Sequence, residues 1–170
     1  EHPFHSIYSF LDYDEIVQKI MHNIKYFSKK QLAFYMGELL SETAPEQLFK
    51  DIDLIIPIPL HWLRKQKRGY NQAEWFARGI ASKIPHITLF TTGIVRKKRT
   101  KTQVKLHRED RAKNVRNVFQ IKETAASFIR GKAVMLVDDV ITTGATTGSC
   151  TTTLLNAGCS LVKVLSLARD

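Results

Sequence analysis

The stretch that decides the fold runs from Val134 to Thr146 and reads Val134-Met-Leu-Val-Asp-Asp-Val-Ile-Thr-Thr-Gly-Ala-Thr146. Residues 133–137 form a continuous apolar run, which predicts a buried strand. We predict a turn over residues 138–144, a helix over 145–156 that stops at Gly158, and a strand over 160–167. A strand, a helix and a second strand make a βαβ unit, whose right-handed crossover gives a parallel sheet with helices on both faces. The predicted fold class is therefore α/β, doubly wound and mainly parallel.

The rest of the chain supplies further elements for this sheet. We expect the first forty-odd residues to be helical, with one apolar stripe at Ile16, Ile20, Ile24 and Phe27 and a second helix marked by Leu32, Met36, Leu39 and Leu40. The other predicted elements are a strand at 53–57, a helix at 71–84, extended structure at 87–95 broken at 91–93, a helix at 108–115 and a strand at 118–121. This organisation predicts a helical N-terminal segment, residues 1–50, packed on a core domain of residues 51–170.

Composition places the chain among ordinary globular domains. With 170 residues, 44% of them apolar and 25% charged, it can bury one substantial core. No apolar run reaches the 18 or so residues of a membrane helix, and no basic stretch leads into an apolar one near the N-terminus, so we expect no membrane insertion and a cytoplasmic location. Cys150 and Cys159 lack the spacing of a disulfide framework or a metal motif, and we expect reduced thiols in or near the core.

The net charge of +10 is concentrated in two segments. Residues 61–72 hold four Lys/Arg and no acid, and residues 96–116 hold ten Lys/Arg and two acids. Together these segments contain 14 of the 26 bases and 2 of the 16 acids, so the rest of the chain is nearly neutral. Local positive charge beside a neutral body favours an anionic partner, either a polyphosphate or a nucleic acid backbone, over a merely solubilising face.

Asp138 and Asp139 follow the buried strand directly and indicate a ligand site. Adjacent carboxylates at such a place repel each other and lose solvation unless a ligand compensates them. The next residues, Thr142-Thr-Gly-Ala-Thr146, open a helix whose amides and dipole favour a bound phosphate. Carboxylates for hydroxyl groups beside a phosphate cradle describe a sugar phosphate. Neither G-x-x-x-x-G-K-[ST] nor G-x-G-x-x-G occurs, which disfavours an ATP site and a dinucleotide site.

Residues 134–146 resemble the thirteen-residue phosphoribosyl-diphosphate signature of the type I phosphoribosyltransferases. The resemblance implies that fold, and it implies that Asp138 and Asp139 bind the ribose hydroxyls. It further implies that the 5′-phosphate is bound by Thr142, Thr143, Gly144, Ala145 and Thr146. Mg²⁺ is expected as part of the ligand, held mainly by ligand oxygens and water rather than by protein side chains.

Two further segments resemble the ComF family of competence proteins. Residues 56–61, then Arg64 and residues 68–77, are similar to its strand, pyrophosphate loop and helix, with Arg68-Gly-Tyr-Asn-Gln72 matching the R-G-[FY]-N-Q motif. Residues 96–119 follow the family pattern of a mobile loop, T-x-x-Q-x-x-L and R-x-x-N-V-x-x-x-F. The resemblance implies that the ligand also contacts Pro59, Leu60, Arg64 and Arg68. For the flexible loop and DNA it implies Arg96, Lys97, Lys98, Arg99, Lys101, Gln103, Arg108 and Arg111.

The N-terminus departs from the family pattern. ComF proteins usually begin with a four-cysteine zinc module, and residues 1–50 contain no cysteine, so Zn²⁺ is expected only if such a module precedes them. His2 and His5 are interpreted as surface residues rather than metal ligands. Tyr70, Trp75 and Phe76 are candidates for base stacking, although the helical pattern favours a core position for the last two.

The implied reaction is displacement of pyrophosphate at the anomeric carbon. The catalytic candidates are Arg68, which would neutralise charge on the leaving group, and Asp138 and Asp139, the latter as a base.

Three functions stay open. The first is a competence factor for DNA uptake that binds phosphoribosyl diphosphate and single-stranded DNA, with other DNA-uptake or recombination proteins as partners. The second is a phosphoribosyltransferase of nucleobase salvage that acts on a small base, and the third is a non-catalytic sensor of the same ligand.

Overall fold

The computed structural model of the chain describes residues 3–26, 29–96 and 118–169. Within these ranges the strands are β1 (Ser6–Asp12), β2 (Leu54–Pro57), β3 (Thr88–Leu89), β4 (Ile94–Arg96), β5 (Phe119–Ile121), β6 (Ala133–Ile141) and β7 (Leu161–Arg169). The helices are α1 (Glu15–Tyr26), α2 (Lys30–Thr43), α3 (Trp62–Arg68), α4 (Gln72–Lys83), α5 (Glu123–Ile129) and α6 (Ala145–Asn156), with a 3-10 turn at Glu46–Leu48. No helix in the described ranges is long and apolar enough to cross a membrane.

The main sheet has five strands in the order β1-β7-β6-β2-β3, and every pair in it is parallel. From β2 the chain continues to β3 on one side of the sheet, and from β6 it continues to β7 on the other side. The direction of winding therefore reverses between β2 and β6. Ligands of open α/β sheets bind at such a switch point, beyond the carboxyl ends of the strands.

Alternate residues of β6 enter two separate cores, one on each face of the sheet. Met135 and Val137 pack in the core that contains α1, α2 and α4. Val134 and Leu136 pack in the core that contains α5, α6 and the antiparallel ribbon of β4 and β5. Because both faces are covered, β6 reads as a continuous apolar run, as parallel strands do. The predicted doubly wound α/β fold is confirmed.

Helices α2 and α4 cross at two glycines. A Cβ atom on Gly37 would overlap the carbonyl oxygen of Phe76, and one on Gly79 would overlap the carbonyl oxygen of Phe34. Ser41 Oγ donates to the carbonyl of Gly37 at 2.9 Å beside this crossing. The close backbone approach fixes the position of α4, whose N-terminus lies next to the end of β2.

The N-terminal segment differs from the prediction. The expectation that the first forty-odd residues are helical is wrong for Ser6–Asp12, which form an edge strand parallel to β7. Across this pair, Ser9 Oγ lies 2.8 Å from Ser166 Oγ, 157 residues away in the chain. The partner strand is distant in sequence, so local periodicity does not reveal the pairing.

The predicted apolar stripe of α1 is also partly wrong. Ile24 is buried and Ile20 packs against the core, as predicted, but Ile16 is 67% exposed. The other core contacts of this helix come from Val17 and Met21, and Phe27 lies outside the described residues. The predicted second helix is confirmed as α2, with Met36 and Leu40 in the core.

Three other boundaries need correction or addition. The predicted turn at 138–144 starts too early, because β6 continues to Ile141 and keeps its pairing with β7 as far as Arg169. The segment interpreted as a pyrophosphate loop contains a helix, α3. Helix α5 is not indicated by the sequence reasoning, whereas α4, α6 and β5 are confirmed. The predicted helix at 108–115 lies outside the described residues.

Candidate functional site

A cleft of about 320 Å³ lies beyond the carboxyl ends of β2 and β6, at the switch point of the sheet. The sequence had nominated eight of its lining residues, which are Pro59, Leu60, Arg68, Arg96, Asp138, Asp139, Thr142 and Thr146. Ile58 and Val140, which belong to the quoted motifs but are not predicted site residues, line the same cleft, as do Tyr13 and Lys25, which no motif includes. Segments far apart in the chain therefore meet at one place, where acidic and basic side chains face a shared volume.

The loop from Thr142 to Thr146 encloses a smaller concavity of about 50 Å³ next to this cleft. Gly144 adopts φ 72° at the N-terminus of α6, a left-handed conformation that favours glycine. Thr147 Oγ1 donates to the Gly144 carbonyl at 2.8 Å and so braces the turn. The concavity opens on the N-terminus of a twelve-residue helix. Backbone amides and the helix dipole favour an anion at such a position.

The acid pair, Asp138 and Asp139, lies near the end of β6 and accepts hydrogen bonds from backbone N–H groups of that strand. Asp138 Oδ1 accepts from the backbone N–H of Asp139 at 2.9 Å, and Asp139 Oδ1 accepts from the backbone N–H of Val140 at 2.8 Å. Burial raises the pKa of Asp138, and the negative charge of Asp139 raises it further. The pair therefore resists carrying two full charges until a cation or hydrogen-bond donors approach it.

Lys25 supplies a positive charge to this pair, and no sequence motif points to it. Its Nζ lies 3.7 Å from Asp139 Oδ2, and both side chains are less than a quarter exposed. The Tyr70 hydroxyl, which is buried, donates to the carbonyl of Ile24, the residue before Lys25. This contact fixes the end of α1 beside the cleft. Lysine in the last turn of a helix is common, so its type alone carried no signal.

The Arg68-Gly-Tyr-Asn71 motif is largely structural. Gly69 ends α3 with φ 78°, and Tyr70 makes the contact to α1. Asn71 caps α4 through its side-chain oxygen, and its Nδ2 donates to the Ile58 carbonyl at 2.9 Å. These three residues tie α3, α4 and α1 to the end of β2, and they hold Arg68 in the cleft wall. The Arg64 side chain lies outside the described residues.

Arg96, the first residue of the basic segment at 96–116, lines the cleft. It ends β4, where it pairs with Phe119 of β5, and its guanidinium lies 5.5 Å from the Phe119 ring centroid. Of the other residues nominated for the flexible loop and DNA, Lys97, Lys98, Arg99, Lys101, Gln103, Arg108 and Arg111 lie outside the described residues.

The aromatic candidates for base stacking are not available as predicted. Tyr70 and Phe76 are buried, so their rings face the protein interior. Trp75 is half-buried, with Lys30 Nζ 4.9 Å and the Arg78 guanidinium 5.8 Å from its ring. Trp62, which no sequence motif singles out, is 38% exposed on α3.

Neither Cys150 nor Cys159 lines the cleft. Both are free and buried, as predicted. Burial raises the pKa of Cys150, and burial also raises the pKa of Cys159 to about 11, so both thiols stay protonated and poorly nucleophilic. In the described ranges, no group of three or more His, Cys, Asp or Glu side chains is placed to hold a metal ion.

Comparison with solved structures identifies the fold. The glutamine phosphoribosylpyrophosphate amidotransferase of B. subtilis superposes with a TM-score of 0.59 at 20% identity, over 86% of this chain and 30% of that one. A structure described as the allosteric regulatory enzyme of purine biosynthesis gives a TM-score of 0.57 at 22% identity, with the same coverage. At these identities the likeness shows the fold, which is that of the type I phosphoribosyltransferases.

Sequence comparison narrows the class to a family. Competence protein F of Haemophilus influenzae is 30% identical over 156 residues, which span 91% of this chain and 66% of that protein. The DNA utilization protein YhgH of Escherichia coli K12 is 27% identical over 98% of this chain and 73% of its own length. No protein-family model matches the chain. On its similarity to these relatives the chain belongs to the ComF family.

Proposed function

We propose that the protein binds phosphoribosyl diphosphate, together with Mg²⁺, in the cleft between β2 and β6. The observation that carries the proposal is the arrangement of Asp138 and Asp139 beside the Thr142–Thr146 concavity, with Arg68 in the wall of the same cleft. Few ligands combine vicinal hydroxyl groups, a terminal phosphate and a second, more highly charged phosphate group. Phosphoribosyl diphosphate has all three.

The chemistry of each wall suits one part of this ligand. The helix N-terminus at Gly144 suits the 5′-phosphate, and the two carboxylates suit the ribose hydroxyls, which donate to them. Arg68 suits the pyrophosphate, because a guanidinium donates several hydrogen bonds to phosphate oxygens. The acidic ligand would thus meet opposite charge at its polyphosphate end and hydrogen-bond acceptors at its sugar.

Mg²⁺ fits this donor set. Burial and the charge of Asp139 raise the pKa of Asp138, and a divalent cation close to the pair would offset that repulsion. Carboxylate and ligand phosphate oxygens are the hard donors that Mg²⁺ prefers, with water completing its shell. When bound, the ion would neutralise charge on the pyrophosphate. Asp138 and Asp139 would then hold the ribose hydroxyls in their ionised forms.

Phosphoribosyl transfer to a small base is the second candidate function. It is favoured by the placement of Arg68, which shares a cleft with Asp139 and would stabilise the charge that develops on departing pyrophosphate. Asp139 would accept the proton of the incoming nucleophile. Pyrophosphate release on addition of a nucleobase separates this candidate from binding alone, which is the behaviour of a sensor.

The biological role that we propose is DNA uptake in competence, with single-stranded DNA as a partner and other DNA-uptake or recombination proteins acting beside it. Two relatives carry the names competence protein F and DNA utilization protein, which supports this role. The basic segment at 96–116 supports it as well, because its first residue, Arg96, lies in the cleft wall. A nucleic acid strand bound at Arg96 would lie close to the bound ligand.

Calorimetric titration of phosphoribosyl diphosphate in the presence of Mg²⁺ tests the central proposal. We expect saturable binding that is lost in Asp138→Asn and in Asp139→Asn. Asp51→Asn is the matched control, because Asp51 is exposed and precedes the amino end of β2, whereas the cleft lies beyond the carboxyl end of that strand. Unchanged affinity in both cleft variants, or equal loss in the control, would remove the site assignment.

A further inference from the structure

We propose that the exposed side of α3, together with the residue that caps it, is a stacking surface for a single strand of nucleic acid beside the cleft. This α3 surface consists of His61, Trp62, Leu63, Lys65 and Lys67. The proposal gives a location to the DNA binding in the proposed function and rests on it. The location itself follows from the exposure, charge and position of these residues.

The first observation is the exposure of two large apolar side chains in succession. Trp62 is 38% exposed and Leu63 is 54% exposed. The residues that flank α3 in the chain, Ile58 and Tyr70, are by contrast buried. The His61 ring lies 6.0 Å from the Trp62 ring, tilted by 35°, so two rings stand next to each other at the surface. Contiguous exposed apolar groups of this kind mark interaction sites more often than isolated ones do.

The second observation is the charge around these rings. Lys65 and Lys67 are exposed on the same short helix, and residues 61–73 contain no acid. His61 Nδ1 accepts from the backbone N–H of Leu63 at 3.4 Å, which caps α3 and orients the imidazole. Aromatic rings with flanking lysines match the bases and the phosphates of a nucleic acid strand.

The third observation is where the surface lies. Leu60, just before α3, and Arg68, its last residue, both line the cleft. A strand stacked on Trp62 would therefore run along the cleft wall that we assign to pyrophosphate. Single strands suit this surface because their bases offer free faces, whereas in a duplex those faces are already stacked.

Tryptophan fluorescence tests the proposal, because the chain has two tryptophans. Trp75→Phe leaves Trp62 as the sole indole, and Trp62→Phe leaves Trp75. In the full chain at low salt, an oligothymidylate of about twenty nucleotides should quench Trp75→Phe strongly and Trp62→Phe weakly. Trp62→Ala should weaken binding roughly five-fold or more, the contribution of one stacked base. The matched control is Tyr35→Ala, an aromatic that is 59% exposed on α2.

The lysines give a second, independent readout. The double substitution Lys65→Ala and Lys67→Ala should lower the slope of log affinity against log salt by about 1.4, since each phosphate contact to a single strand contributes about 0.7. Lys50→Ala and Lys122→Ala together form the control pair, because both lysines are exposed elsewhere. An unchanged slope in the α3 pair would count against the proposal.

The outcomes distinguish this inference from the proposed function. Oligonucleotide binding with no quenching of Trp62 and no loss in Trp62→Ala would overturn the α3 surface and leave DNA binding intact. Absence of oligonucleotide binding in the unmodified chain would overturn both. Equal quenching by a hairpin duplex, or stronger quenching by phosphatidylglycerol vesicles, would assign α3 to a different partner and so contradict the inference.

Discussion

Lys25 Nζ lies 3.7 Å from Asp139 Oδ2, so the last turn of α1 supplies a positive charge to the acid pair of β6. Two elements that are more than a hundred residues apart thus share one electrostatic centre. The Tyr70 hydroxyl holds the adjacent carbonyl of Ile24 and thereby the position of Lys25.

Replacing Lys25 should weaken ligand binding. In Lys25→Met we expect the affinity for phosphoribosyl diphosphate with Mg²⁺ to fall about five- to ten-fold, because a half-buried positive charge facing an anionic ligand is lost. Calorimetry measures the change, and Lys25→Arg should recover part of it. Lys19→Met, on an earlier turn of α1, is the control. Equal affinity in Lys25→Met and the unmodified chain would show that the ion pair serves stability alone.

Ligand binding should depend on pH through Asp138. Burial and the charge of Asp139 raise its pKa to about 8, whereas hydrogen bonds from ribose hydroxyls and a nearby cation favour the ionised form. The affinity should therefore rise as pH increases from 6 to 8, with release of a proton on binding. Titrations in buffers of different ionisation enthalpy measure that proton. A pH-independent affinity with no proton release would contradict the assignment of Asp138.

The raised pKa of Asp138 affects the free energy of unfolding in the opposite direction: it should lower the stability of the protein measured without ligand as pH rises. For an acid whose pKa is raised by folding, the favourable contribution is present below the unfolded pKa, near 4, and is lost as pH rises through the folded pKa. The ligand-free chain should thus lose stability between pH 4 and 8 from this group. Asp138→Asn should flatten that part of the curve, as measured by denaturant unfolding across pH. Asp51→Asn, which alters an exposed carboxylate, should leave the curve unchanged.

Removing the Tyr70 hydroxyl should destabilise the chain and disturb the site together. Tyr70→Phe leaves the Ile24 carbonyl without its donor in a buried position, at a cost of about 1–3 kcal/mol. Because Lys25 follows Ile24, ligand affinity should also fall. Urea unfolding and calorimetry measure the two effects, with the exposed Tyr35→Phe as control. A loss of stability without any change in affinity would separate the α1 contact from Lys25 placement.

A methyl group at the crossing of α2 and α4 should be poorly tolerated. In Gly79→Ala the new Cβ would meet the backbone carbonyl of Phe34, which cannot move away as a flexible side chain can. We expect a loss of roughly 1–3 kcal/mol or more from overpacking, measured as a lower urea midpoint. Gly131→Ala is a useful contrast, because that glycine has open space around it and its penalty comes from φ 74° instead. A stability equal to that of the unmodified chain would mean that α2 moves freely on α4.

Some features could be predicted from the sequence because their signals are local. The strand of β6, helix α6 and strand β7 follow from an apolar run, a glycine-containing turn and a second apolar run, all within about 35 residues. The fold class follows from this unit, since a parallel crossover leaves few arrangements. The adjacent acids Asp138 and Asp139 and the loop Thr142–Thr146 are local signals of the same kind, and in the structure they lie beyond the carboxyl ends of the parallel strands.

Other features depend on which distant segments pack together. The sequence of Ser6–Asp12 does not show that it pairs with β7, and the spacing of Ile16 does not show that α1 turns Val17, Met21 and Ile24 to the core. The sequence of the Arg68–Asn71 motif predicts a binding segment, yet Tyr70 contacts α1 and Asn71 contacts Ile58 just after β2, so two of its residues have structural roles.

The sequence by itself therefore determined the fold class, the adjacent acids at the end of β6, the glycine-containing turn before α6 and the presence of two basic segments. The tertiary structure decided that Lys25 faces Asp139, that Arg68 and Arg96 reach one cleft, and that Trp62 rather than Tyr70 or Phe76 is exposed. The physical reason is the range of the interactions. Periodicity and turn chemistry act between neighbours in the chain, whereas side-chain burial and ion pairing depend on surfaces that meet only after the helices pack on the sheet.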